Sequence, residues 1–220
     1  MLSEQYIEAN KQEFLSLLRT IERPGADIDR LIKKLESSDF FSAPASTQYH
    51  RSCKGGLCDH SLNVYYNMMH LFNYKLPTLR LDAEEIKQYE ESIKIVALLH
   101  DISKMNLYVE SVKNVKVYAP EGDKRDSMGS YYWDSKLSYT VKEAKDRFIY
   151  GSHEATSEYM IRQFIPLTAE ESSAVLHHMG GMSWDSAKDN YGEVYLNYPL
   201  ALLLFTADIL STYTDERNGR

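Results

Sequence analysis

Apolar positions recur at helical spacing along most of the chain. Tyr6, Ile7, Phe14, Leu17, Leu18 and Ile21 predict a first helix from Glu4 to Ile21, ended by Pro24-Gly25. Asp27 has the chemistry to cap a second, with Ile28, Leu31, Ile32 and Leu35 on one face. From Asp39 to Gly56 the periodicity is lost, and this stretch reads as a loop over the core, with His50 as a surface or loop-packing residue. Leu57 to Tyr74 is again helical, with Leu62, Tyr65, Tyr66, Met69 and Phe72 turned inward and His60 in the first turn. Asp82-Ala83-Glu84-Glu85 has capping-box spacing and opens a long helix that runs into the apolar Ile95-Val96-Ala97-Leu98-Leu99 and ends at His100-Asp101.

The period then changes. Val112, Val115 and Val117, the Pro120-Glu121-Gly122-Asp123 turn and the Tyr131-Tyr132-Trp133 cluster predict short strands or a hairpin over about 107–150. Thr140 and Glu143 have capping-box spacing for a brief helix. Gly151-Ser152 leads into a helix at His153-Glu154 that reaches about Phe164. Thr168 to Glu171 opens another that ends at His177-His178-Met179-Gly180-Gly181. The last apolar segment, Pro199 to Tyr213, is apolar nearly all round and encloses Asp208. A mostly α chain is expected, in one sizeable domain. Residues 1–53 form helices and a loop packing on it, 54–214 form the domain itself, and 215–220 form a tail.

Charge narrows the choice of partners. Lys and Arg number 25 against 32 Asp and Glu, a net charge of −7. No global positive field exists to gather a nucleic-acid backbone, and long nucleic acid is not expected as a partner. Charged residues in the first helix exclude the apolar core of a secretory signal, and no run reaches membrane-spanning length. Only Cys53 and Cys58 are present, too few for a disulfide framework, which fits the cytoplasm. Both are read as structural.

The candidate chemistry lies in the histidines and two aspartates. Asp208 sits among Leu202, Leu203, Leu204, Phe205, Ala207, Ile209 and Leu210, where a lone carboxylate is heavily penalised unless it is paired or bound to a cation. Each histidine taken alone has an ordinary reading as a core or helix-end residue. As a set, His60, His100, Asp101, His153, His177 or His178, and Asp208 all fall at helix ends or inside apolar helices, which points to a metal site.

In this order the motifs resemble the HD-domain superfamily of metal-dependent phosphohydrolases. They are G-G-L-C-D-H ending at His60, L-L-H-D-I-S-K from Leu98 to Lys104, G-S-H-E around His153, H-H-M-G-G from His177, and T-A-D around Asp208. The H-D-x-x-K form with additional histidines is similar to the two-metal branch of phosphodiesterases, nucleotidases and exoribonucleases. The resemblance implies an HD helical bundle with a β-hairpin-like insertion between the His-Asp helix and the helices that follow. His60, His100, Asp101 and Asp208 would hold one metal, and Asp101 would bridge to a second held by His153 and His177 or His178. One or two divalent ions of Mn, Fe, Co, Ni or Zn suit nitrogen and oxygen ligands. The implied reaction is hydrolysis of a phosphate ester, in a nucleotide, cyclic nucleotide or short oligonucleotide, by metal-activated hydroxide. Lys104 would neutralise phosphate charge. Read without the resemblance, it is a solvated helix-end lysine.

Substrate recognition is expected in the insertion. Tyr108, Tyr118, Tyr131, Tyr132, Trp133 and Tyr139 offer stacking faces, and its lysines and arginines offer phosphate contacts. The same aromatics alternatively form the insertion's own packing core or a homodimer interface. Two other functional classes stand beside the hydrolase: a di-iron oxygenase on the same fold, and a non-catalytic nucleotide-binding regulatory protein.

Overall fold

The computed structural model describes residues 2–180 and 190–216. Gly181 of the expected glycine stop and residues 217–220 of the expected tail lie outside the described residues. Eight α-helices are present among them: α1 (Glu4–Arg19), α2 (Ile28–Glu36), α3 (Gly56–Lys75), α4 (Ala83–Leu99), α5 (His153–Arg162), α6 (Ala169–Leu176), α7 (Tyr191–Asn197) and α8 (Pro199–Leu210). The helix starts follow their local chemistry. Ser3, Asp27 and Ser152 accept a backbone N–H from the first turn of α1, α2 and α5. Asp82 with Glu85, and Thr168 with Glu171, form complete capping boxes at α4 and α6.

Helix α3 is the central element. It packs against α1, α4 and α8, while α6 closes on α8. The last turns of α4 are sealed, with Ile93 and every residue from Ile95 to Leu99 buried. Phe14, Phe40 and Phe41 form an aromatic cluster with ring centroids 5.1 to 5.7 Å apart, which anchors the start of the α2–α3 loop to α1. Arg23, between α1 and α2, donates to both Oε1 and Oε2 of buried Glu171 at 2.8 Å and to Glu91 at 3.0 Å, so one guanidinium joins α1 to α4 and α6. No single helix among the described residues is long and apolar enough to cross a membrane.

The stretch after α4 is a three-stranded antiparallel sheet, β1 (Tyr108–Tyr118), β2 (Lys124–Asp126) and β3 (Gly129–Val141), in the order β1-β3-β2. Its register runs from Tyr108 opposite Val141 to Tyr118 opposite Tyr131. The helix expected from Thr140 and Glu143 does not form. Thr140 and Val141 complete the β1–β3 ladder, Lys142 N–H donates to Leu107 carbonyl at 2.9 Å, and only a 3-10 turn follows at Ala144–Asp146. A two-residue capping signal does not compete with eleven consecutive cross-strand pairs.

Because paired residues share a face, Tyr108, Tyr118, Tyr131, Trp133 and Tyr139 all lie on one side of the sheet and Tyr132 on the other. Only Tyr139 is buried; Val112 and Leu137, opposite each other on the same face, are 72% and 57% exposed. The aromatics therefore do not form an enclosed core for the insertion. Helix α7, which no pattern in the sequence marked, lays Val194 and Tyr195 against the core.

Candidate metal centre

Five elements deliver the polar residues to one place. His60 comes from the first turn of α3, His100 and Asp101 from the end of α4, His153 from the N-terminus of α5, His178 from the turn after α6, and Asp208 from α8. Asp101 lies at the middle. Its Oδ2 is 3.4 Å from His100 Nε2 and 3.7 Å from His60 Nε2, and His60 Nε2 is in turn 3.2 Å from Asp208 Oδ1. Its Oδ1 is 3.7 Å from His178 Nε2 and 3.8 Å from His153 Nε2, and those two nitrogens are 3.3 Å apart. His60 and His100 thus face one oxygen of this carboxylate, and His153 and His178 the other.

The orientation of the rings is as informative as their proximity. His60 Nδ1 meets both oxygens of Glu216 at 3.0 and 3.1 Å, and His153 Nδ1 meets Glu154 at 3.2 Å. His100 Nδ1 meets the carbonyl of Ala97 at 2.8 Å, and His178 Nδ1 that of Val175 at 2.7 Å. All four rings therefore turn Nδ1 to an outer carbonyl or carboxylate and Nε2 toward Asp101. This is how an outer shell fixes the tautomer of metal-ligating histidines. His60 Nε2, His100 Nε2 and Asp101 Oδ1 are buried without a hydrogen-bond partner, a costly state that a cation relieves.

Charge balance in the metal-free chain tells the same story. Burial pushes His60 down, but the carboxylates of Glu216 and Asp208 outweigh it and raise its pKa to about 10. Burial raises Asp101 and Asp208, yet Lys104 with His100 holds Asp101, and His60 holds Asp208, well below the usual carboxylate range. His178 is raised because Asp101 outweighs its burial, whereas burial and the neighbouring His178 lower His153 to about 4. The nitrogens and carboxylates that shift one another in this way are those a cation would sit between.

The two adjacent histidines separate cleanly. His178 is buried in the cluster, while His177 Nδ1 bonds the Ser173 carbonyl at 2.8 Å and its ring faces Tyr191 at 6.0 Å. His177 stands outside the cluster because the chain turns after Leu176 and points successive side chains apart. Lys104 is not a solvated helix-end lysine; its ammonium lies 2.6 Å from Asp101 Oδ2. The residue groups spaced to hold a metal ion contain no sulfur among the described residues, and burial raises the Cys58 thiol. Buried His/Asp groups such as His60, His100 and Asp208, or His100, Asp101 and His178, are spaced to hold a metal ion.

No protein-family model, curated protein or solved structure matches this chain. The family resemblance therefore rests on the order of the motifs, and the site on its own geometry.

Three residues enter the site that the sequence reading did not place there. Glu216, assigned to the tail, is fully buried on His60, so the fold extends past residue 214. Its only sequence signal is an acidic pair, Asp215-Glu216, after a long apolar helix. Glu154, next to His153, orients that ring. His50 is half-buried with its ring 4.7 Å from that of His60, which replaces the surface reading. A cleft of about 870 Å³ opens onto the centre, with His60, Asp101, Lys104, His153 and Asp208 on its floor and walls and Tyr49, Tyr108 and Tyr213 among its aromatic lining.

Proposed function

We propose that this chain is an HD-type metal-dependent phosphohydrolase acting on a small phosphate ester, with a nucleotide as the favoured substrate class. The observation that carries the proposal is the convergence of four Nε2 atoms on the two oxygens of Asp101, each ring held through Nδ1 by an outer acceptor. In this reading His60, His100, Asp101 and Asp208 would hold one divalent ion, and Asp101, His153 and His178 a second. Such ions would supply Lewis acidity and a nucleophilic hydroxide near neutral pH.

The chain's own residues do the remaining work. Glu216 and the carbonyls of Ala97 and Val175 hold Nδ1 of His60, His100 and His178, and Glu154 pairs with Nδ1 of His153, so that each Nε2 stays turned to Asp101. Lys104 holds Asp101 ionised and brings a positive charge to the cleft wall, where it offsets phosphate charge. The volume of the cleft suits a mononucleotide, and the exposed rings of Tyr49 and Tyr213 offer stacking faces at its lining. A site of this size also fits the net charge of −7, which opposes capture of long nucleic acid.

The test is elemental analysis of the purified protein paired with a phosphate-release screen over nucleotides and short oligonucleotides in added manganese, iron, cobalt or nickel. Bound metal with release from one nucleotide class, lost in Asp101→Ala, is the expected result. Bound iron with oxygen consumption and no release would replace the hydrolase by an oxygenase, and a chain that takes up no metal would overturn the site altogether.

A further inference from the structure

The loop between α2 and α3 is pinned more tightly than a connection requires. Arg51 has φ 41°, a left-handed conformation sparsely populated by non-glycine residues. Its carbonyl accepts from Ala45 N–H at 3.1 Å and Cys53 N–H at 2.8 Å. Its guanidinium Nε lies 2.5 Å from buried Asp59, the residue before His60. The His50 carbonyl accepts from Ser46 Oγ at 2.6 Å. Gly56 permits the close approach, since a Cβ there would stand 2.1 Å from the Arg51 carbonyl oxygen. These contacts fix His50 in the cleft wall beside His60.

His50 Nε2 is buried and has no hydrogen-bond partner, a condition it shares among the described residues with His60 Nε2, His100 Nε2 and Asp101 Oδ1 at the centre and with Arg51 Nε and Tyr195 Oη away from it. His50 also lies within metal-holding distance of His60 and Glu216, but unlike His60, His100 and His178 it has no acceptor among the described residues on its other ring nitrogen, so it lacks the outer-shell bond that orients a ligand. An unpaired buried N–H costs free energy that is recovered when a bound molecule accepts from it. The cleft needs such a donor: Lys104 is the one lysine or arginine among its described lining residues, and its ammonium is already engaged by Asp101.

We propose that His50 is a substrate-binding residue of the cleft, donating Nε2–H to a phosphoryl oxygen at the Asp101 centre. This rests on the phosphohydrolase reading and adds to it a residue outside the metal ligands. The probe is inorganic phosphate, titrated calorimetrically against the manganese-loaded full chain, with metal content measured on the same samples.

His50→Ala is expected to retain the metal content of the wild type and to bind phosphate about tenfold more weakly, the scale of one hydrogen bond to a charged group. A glutamine amide reaches the position of Nε2 and an asparagine amide that of Nδ1, so His50→Gln should stay within about threefold of wild type and His50→Asn should resemble alanine. Should the alanine variant fail to fold, the glutamine and asparagine pair carries the same comparison. Equal phosphate affinity in wild type, His50→Ala and His50→Asn would overturn the proposal, and so would loss of metal from the folded variants, which would make His50 part of the centre itself. A wild-type chain that holds metal but binds no phosphate would instead bring down the phosphohydrolase reading, and this proposal with it.

Discussion

Glu216 offers the sharpest test of how the centre is built, because among the described residues its carboxylate alone meets His60 Nδ1. Both oxygens lie 3.0 to 3.1 Å from His60 Nδ1, and Oε1 also accepts from Asn63 Nδ2 at 3.0 Å. Glu216→Ala leaves His60 Nδ1 without its acceptor and Asn63 Nδ2 with only its 3.4 Å contact to Asp59 Oδ2, in a place where the wild-type side chain is fully buried. Replacing an outer-shell partner of a metal-ligating histidine typically costs about 10- to 100-fold in metal affinity, or about 1.4–2.7 kcal/mol. The bidentate contact and complete burial place Glu216→Ala near the upper end. Glu216→Gln keeps an amide oxygen for Nδ1–H and loses the charge, so its deficit should be nearer about tenfold. The assay is competition for manganese or zinc against a chromophoric chelator at fixed pH, with thermal denaturation of the metal-free protein alongside. A Glu216→Ala protein with unchanged metal affinity but a lowered melting temperature would refute the reasoning. Glu216 would then serve only to tie the C-terminal segment to α3.

Three further outcomes follow from the geometry. His178→Ala should lose metal affinity by at least about tenfold while His177→Ala stays within about twofold, measured by the same competition, because only His178 faces Asp101. His60 is raised from 6.5 to about 10 in the metal-free chain, so the stability its pairing supplies is complete below about pH 6.5 and is lost as pH rises through about 10. Metal must displace that proton, so melting of the metal-free protein should fall between about pH 7 and 10 while metal affinity rises by about tenfold per pH unit; a pH-independent affinity would contradict the protonated His60. Glu171→Ala removes the paired contacts of the Arg23 guanidinium to α6 and leaves it Glu91 and the Pro166 carbonyl, and should cost about 1.5–3 kcal/mol in denaturant unfolding. A loss below about 1 kcal/mol would show that the three-way pairing is solvated rather than structural.

Much of the framework was legible in the chain because its causes are local. The capping boxes at Asp82 and Thr168, the caps at Asp27 and Ser152, and the apolar run ending in His100-Asp101 are short-range signals, and the helices begin where they stand. The burial of Asp208 could be read from its neighbours alone. The convergence of His60, His100, Asp101, His153 and Asp208 was suggested by their placement at helix ends and by the motif order.

What needed the tertiary structure was everything fixed by distance across the fold. Adjacent His177 and His178 are equivalent in composition, and only the turn after α6 sends one inward and the other to Ser173. Glu216 and His50 carry no local pattern; each gains its place because α3 presents His60 between the C-terminal segment on one side and a glycine-pinned loop on the other. Thr140 was misread for the converse reason, since a cap signal four residues long yields to a ladder whose partner strand lies some thirty residues earlier. Helical period and capping are set by neighbours in sequence, whereas ring tautomer, outer-shell partners and cleft walls are set by residues that meet only when the bundle closes around α3.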